Sequence, residues 1–455
     1  MKSQNSIREF KVEKAIFNEL SEDELKALPI LTEATRLVAN IYSEQENNDN
    51  QSKHFYPIDL TNAQIEEKAK KNPQFFSPYT VVEKSANGIK VIPYHIKYKN
   101  NLQKIAKLTK EASLIVKDKN LSNYLGVVGD SLLKGDYKKM DQAWLKTQNS
   151  TLQFLVGPYE RYLDKRFSIK MAYLAFVGIK DSYYTKKAKE MSEVLFNSLS
   201  EKPDSFASMN TVQVCSIHNI IFAGINATAL LSTEHIPSDD QTIRESGSRV
   251  MSFLSSIDYK FDNLLLPIFQ AIFENSFQQS YPEDLLRKGN YYLMLLYGLA
   301  RQLHRYEGSR SRLKELFPIL DESNSIVSGI QQCKHLVLKG VIDQKDLEAM
   351  IIMHICWCFS EWIFARTSQI RSDYLRGDAI TLNYYFQIGA LKQSRGISWP
   401  NFSKIFFGIE SLSSIFIRIL SQGSYEDGEN FLNESLSYEI FKSFDSKLSK
   451  INFSN

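Results

Sequence analysis

The sequence predicts a mainly α-helical protein with a small β component, and three features of its 455 residues lead there. Apolar residues recur at three-to-four spacing along most of the chain, the period of a helix with one buried face. Segments rich in β-branched and aromatic residues are short and few. Polar, breaker-rich stretches separate the two kinds.

In chain order, Thr80–Val82 and Lys90–Pro93 are expected as short strands. Leu102, Ile105, Ala106 and Ala112, then Leu121, Leu125, Val128 and Leu132, describe two amphipathic helices. Leu152–Val156, Tyr173–Ile179 and Val212–Ile221 complete the strand set. Pro282–Arg305 opens with a proline suited to a first helical turn and carries Leu285, Leu286, Leu293, Leu296 and Leu299 on one stripe. Further helices are expected over Asp346–Thr367 and from an N-capping Asn401 to a stop before Gly423. Glu44–Lys53, Ser200–Asn210 and Ser238–Gly247 are expected as surface loops. The chain has no internal repeat and no long low-complexity tract.

With 43% hydrophobic and 24% charged residues the chain can bury one large or two medium cores. A net charge of +3, from 55 basic and 52 acidic residues, argues against nucleic acid or an anionic membrane as a main partner. Met1–Lys11 is polar and has no apolar run of the secretory kind, so a cytoplasmic address is the expectation. Cys215, Cys333, Cys356 and Cys358 are too few for a disulfide scaffold and fit a reducing compartment. The longest apolar run, Ala349–Phe359, is shorter than the roughly 18 residues of a membrane span and reads as a buried helix.

The segment Val156-Gly157-Pro158-Tyr159-Glu160-Arg161-Tyr162-Leu163-Asp164, continuing through Lys170 and Ala175-Phe176 to Asp181, resembles the G-P-Y-E-x-Y-x-D signature of the dipeptidyl-peptidase III family of zinc peptidases. Phe55-Tyr56-Pro57-Ile58-Asp59-Leu60-Thr61 resembles that family's F-Y-P-x-D-M-T stretch, and Asp136-Tyr137 to Ala143-Trp144 resembles its D-Y-x-x-x-D-x-A-W stretch. Ile236-Pro237-Ser238-Asp239-Asp240 to Gly247, and Leu382-Asn383-Tyr384 with Gly389-Ala390, are similar to two later elements. The likeness runs over about residues 10–440 and is nearest to the shorter, bacterial-type and Nudix-associated members. It implies a two-lobed fold with a central cleft. Residues 1–181, joined by about 210–265, would form a mixed lobe, and residues 266–455 a helical lobe carrying the zinc-site helices.

Zinc hydrolysis needs three protein ligands around an open position and a carboxylate to take the proton of the metal-bound water. The family's H-E-x-x-H helix would supply two imidazoles and that carboxylate. The resemblance puts this motif on Tyr297-Gly298-Leu299-Ala300-Arg301, and no two of the seven histidines in the chain stand four residues apart. The third ligand falls on Glu322 and a histidine that assists catalysis falls on Tyr374, while Arg376 matches. On the peptide-anchoring side, Glu160 and Tyr162 match, but two asparagines fall on His235 and Ser238. No cofactor or metal is therefore expected at the family site. A cation at position 301 is expected to replace the zinc, with the Arg301 guanidinium paired to Glu322 and the Tyr297 hydroxyl as an added donor.

Three functions follow. The first is a degenerate peptidase that binds a peptide, protein or small molecule in the old cleft. The second is a metal-independent enzyme using Glu160, Tyr162, Glu322, Tyr297 and Tyr374 as acids and bases. The third is a residual metallohydrolase. Outside this set, His354 and Cys358 stand one helical turn apart but lie in an apolar stretch, and core packing is the expected role. His304 with Glu307 has ligand spacing without a third partner, Trp357 and Trp362 are expected in the core, and Lys68–Lys71 on a solvated helix face.

Overall fold

The computed structural model describes residues 6–46, 55–86, 88–161, 163–164, 166–167, 169–198, 212–237, 239–303, 306, 308–367 and 372–453, less the side chains of 240, 301–303, 366–367 and 372. Two compact units divide the chain: Met1–Thr185 with Cys215–Ser256, and Lys186–Val214 with Ile257–Ser454.

The first unit is built on a six-stranded sheet. Its strands are β1 (Ile7–Glu9), β4 (Leu152–Glu160), β5 (Ala172–Lys180), β6 (Val212–Gly224), β7 (Thr233–Ile236) and β8 (Ser248–Phe253), while β2 (Thr80–Ser85) and β3 (Gly88–Pro93) form a separate hairpin. The order is β4-β5-β6-β8-β7, with β1 added antiparallel to β6. Near-continuous apolar runs in β4 and β5 reflect burial on both faces: eight of nine residues in each strand are buried. Helix α1 (Glu22–Glu46) packs on β5, and α2 (Lys99–Ile115), α3 (Lys119–Ser131) and α4 (Tyr137–Leu145) follow it in layers. Phe154, Phe176, Phe222 and Trp144 fill the core, with Phe222 edge-on to Phe253 at 4.8 Å.

The residues that carry the family resemblance hold this unit together. The Tyr159 hydroxyl donates to Asp141 Oδ1 at 2.8 Å, joining the strand of one motif to the helix of another. Asp164 accepts from the backbone N–H groups of Ile169 and Lys170, each at 3.0 Å, and so shapes the turn into β5. Lys170 is fully buried and donates to Ser77 O at 2.9 Å and Thr80 Oγ1 at 2.6 Å, which ties that turn to β2. Arg249 on β8 is fully buried; its guanidinium donates to Trp144 O and Leu145 O at 3.0 Å and lies 4.1 Å over the Trp144 ring. It closes the C-terminus of α4, where a cation meets both the free carbonyls and the negative end of the helix dipole.

Three expectations are corrected here. Ser238–Gly247 is not all loop, because α6 (Asp240–Ser246) forms with Asp239 as N-cap, its carboxylate accepting from Thr242 N at 2.7 Å. Glu44–Lys53 begins as the last turn of α1, and the rest of that stretch, like Ser200–Asn210, lies outside the described residues. The strands β1, β7 and β8 carry no apolar alternation in sequence; β8 is buried throughout although it contains Ser248, Arg249 and Ser252.

The second unit is helical. It contains most of α5 (Ser182–Ser198), then α7 (Glu283–Leu303), α8 (Phe317–Leu338), α9 (Gln344–Thr367), α10 (Ser372–Gln387) and α11 (Phe402–Gln422). Lys187 of helix α5 donates to Val341 O at 2.6 Å. The last long segment of the first unit ends at Ser256. Helix α9 is central, with every residue from Ala349 to Phe359 buried. By length and composition Gln344–Ala365 and Phe402–Gln422 pass as membrane spans, but 89% of the first window is buried inside the protein, as in a core helix, against 44% of the second. Trp357 donates to Asn290 Oδ1 at 2.9 Å and Trp362 stacks on Phe441 at 5.4 Å, so both pack in the helical unit.

Two measurements check these contacts. Arg249→Met removes the donors to two helix-terminal carbonyls in a dry core, and equilibrium denaturation should show a loss of about 3 kcal/mol; an unchanged midpoint would mean the guanidinium is dispensable. Burial pushes the Asp141 carboxyl up to about 7, against the lowering effect of the Tyr159 hydrogen bond. An unfolded aspartate titrates near ~3.9, so the folded state holds the extra proton between about 4 and about 7. Its stabilising contribution is complete below about pH 4 and is lost as pH rises through about 7. Asp141→Asn keeps an acceptor for Tyr159 and cannot ionise, so at pH 8 the variant should be the more stable by on the order of 2 kcal/mol, with no difference at pH 4.

Candidate functional site

Helices α7 and α8 pack along one another; a side-chain carbon at Gly329 of α8 would meet Ala300 Cβ and Leu296 O at 3.4 Å, an ordinary contact distance. Seven residues before Gly329, and so two turns away on the same face, is Glu322, only 5% exposed. The half-buried Tyr297 of α7 donates its hydroxyl to Glu322 Oε2. The two residues are 25 positions apart in sequence, and helix packing alone brings them together. A phenol donating to a buried carboxylate satisfies an acceptor that would otherwise lose its water. Arg301 follows one turn beyond Tyr297 on α7, with its side chain outside the described residues.

The third helix at this point is α10. Gly377 lies so near α8 that a side-chain carbon would collide with Ser323 Oγ, next to Glu322 in sequence. Only glycine permits that approach of the two helices. Tyr374, three residues earlier, is half-buried in the first turn of α10. Arg376 is half-buried and within electrostatic reach of Glu315, Tyr425 and Tyr438; the Tyr425 hydroxyl donates to Glu315 Oε1 at 2.7 Å. Thus α7 meets α8 at Glu322 through Tyr297, and α10 meets α8 at the neighbouring Ser323.

In the other unit, Glu160 ends β4 just after a register shift between Pro158 and Glu160, is half-buried, and accepts from Arg161 N at 2.6 Å. His235 lies on β7 opposite Val250 of β8 and is half-buried. Tyr162, Ser238, His304 and Glu307 lie outside the described residues. Sequence reading passed over Asp141 as an ionisable group and Asp378 altogether; Asp378 is set on α10 close to His354 and Cys358 of α9, which no spacing within one segment could reveal.

Chemically, the Tyr297–Glu322 pair offers an acid and a base in contact, held on two helices. It offers one carboxylate to a metal, where a catalytic zinc needs three protein ligands.

No family model matches the chain. Nudix hydrolase 3 of Arabidopsis thaliana is 23% identical over 353 residues, 75% of this chain and 45% of that protein, so the chain spans about half the length of this relative. The dipeptidyl-peptidase III structure from Caldithrix abyssi superimposes with a TM-score of 0.84 at 22% identity, covering 98% of this chain and 95% of the other. Dipeptidyl-peptidase III from Corallococcus sp. strain EGB gives a TM-score of 0.80 at 20% identity, covering 98% and 93%. With helices and sheet in the arrangement of these two structures over nearly all its length, the chain has the dipeptidyl-peptidase III fold, carried by a divergent sequence without the H-E-x-x-H zinc motif.

Proposed function

We propose that the chain is a catalytically degenerate relative of dipeptidyl-peptidase III that binds a peptide, protein or small molecule without zinc hydrolysis. The observation that supports this most is the hydrogen bond from the Tyr297 hydroxyl to Glu322. At the position where the resemblance calls for a first imidazole ligand stands a phenol, and it engages the one carboxylate the family would give to the metal. Arg301, at the second imidazole position, brings a permanent positive charge to the same helix, which favours a guanidinium over a zinc ion as the counter-charge for Glu322. Loss of the two peptide-anchoring asparagines, replaced by His235 and Ser238, weakens recognition of a free amino terminus as well. A cytoplasmic setting fits the four free, buried cysteines.

A second reading draws on the same contact. A tyrosine hydroxyl set against a buried carboxylate is an acid–base pair, and with Tyr374 of the same unit it would suit metal-independent chemistry on a small molecule.

Purified chain is expected to release no dipeptide from fluorogenic dipeptidyl substrates, with or without added zinc. Turnover that a chelator abolishes would overturn the proposal; turnover that a chelator leaves intact and Tyr297→Phe abolishes would favour the acid–base reading. The proposed Arg301–Glu322 pairing is checked by a double-mutant cycle in denaturant. Arg301→Met alone should cost about 3–5 kcal/mol and the Arg301→Met/Glu322→Gln pair less than that, whereas additive losses would mean the two side chains do not interact.

A further inference from the structure

We propose that α9 and α10 hold a divalent transition metal, zinc by preference, between His354, Cys358 and Asp378. His354 and Cys358 stand one turn apart on α9 and Asp378 comes from α10; one donor atom of each lies within 4.8 Å of the other two. The group shares no residue with the Tyr297–Glu322 contact and does not depend on the function proposed above.

The imidazole gives the independent reason to expect a ligand. His354 is fully buried, and neither Nδ1 nor Nε2 has a hydrogen-bond partner among the described residues. A ring nitrogen lone pair stripped of water and given nothing in exchange is costly, and native interiors rarely keep one. Core packing accounts for the place of His354 in an apolar helix but leaves these two nitrogens unexplained.

Charge supports the same assignment. Cys358 is fully buried and its thiol is hydrogen-bonded to the Asp378 carboxylate. When the metal binds, the thiol proton leaves to solvent, the sulfur binds as thiolate, and the carboxylate turns from the thiol to the ion. One thiolate and one carboxylate balance two positive charges, and the neutral imidazole adds none. A dry core can tolerate such an ion where it would exclude one left unbalanced. A mixed S, N and O donor set suits zinc. The Tyr385 hydroxyl, on α10 two turns past Asp378, is also fully buried and without a partner among the described residues. It lies within electrostatic reach of Cys358 and Asp378, with its ring edge-on to His354 at 6.3 Å, and supplies the fourth donor or orients it. The metal would clamp α9 to α10.

The test is metal binding by the full-length chain. After chelator treatment and desalting, titration with Co²⁺ should give one equivalent bound, with a cobalt–thiolate charge-transfer band that Zn²⁺ displaces. Cys358→Ser should remove the band, and Asp378→Asn should weaken Zn²⁺ binding at least tenfold in competition with a chromophoric chelator. Cys356→Ser, the neighbouring cysteine outside the group, and Glu322→Gln, at the family zinc position, should leave both readouts unchanged. Because Cys358→Ser can fail to fold, the wild-type cobalt spectrum is decisive by itself. No thiolate band in the wild type, or a band and an affinity that survive Cys358→Ser and Asp378→Asn, would overturn the proposal.

Discussion

A carboxylate carried into a helix bundle has to be met by a positive charge or by hydrogen-bond donors, and the second unit of this protein is arranged around one such group. Glu322 is 5% exposed on α8 and takes the Tyr297 hydroxyl from α7. Helix α10 comes close to α8 beside it at Gly377, where a side-chain carbon would meet Ser323 Oγ. Here the chain supplies a phenol in contact with the carboxylate.

The first unit shows what the residues of the family signature do for the fold. Tyr159, Asp141, Asp164 and Trp144 all belong to the motifs that carry the likeness, and each has a structural task in this protein. Tyr159 joins β4 to α4 through Asp141, Asp164 shapes the turn into β5, and Trp144 takes the Arg249 guanidinium on its face and at its carbonyl. Residues with such duties keep the fold whether or not a substrate is cleaved, so a signature of this kind testifies to architecture first.

Much of the fold was legible in sequence wherever one face of a helix is apolar. The stripes at Leu102–Ala112 and Leu121–Leu132 are α2 and α3, and Asn401 caps α11 by accepting from Lys404 N at 3.0 Å. Elements whose burial is made by their surroundings were not legible. Strand β8 reads as polar because Arg249 is neutralised by carbonyls of a distant helix, and α6 reads as a loop because its cap and its exposed face are both polar. The site divides in the same way. Tyr297 and Glu322 could be paired only through the family resemblance, since nothing local links positions 25 apart. The grouping of Asp378 with His354 and Cys358 depends on how α9 meets α10, and that no period within either helix encodes.

Anomalous diffraction at the zinc edge, from crystals of the full-length chain grown with zinc, tests most directly whether Glu322 still holds a metal. The expected map has no zinc peak in coordination range of Glu322, whose carboxylate accepts from the Tyr297 hydroxyl. A zinc peak bonded to Glu322 would contradict the proposed zinc-free reading and favour a metallohydrolase.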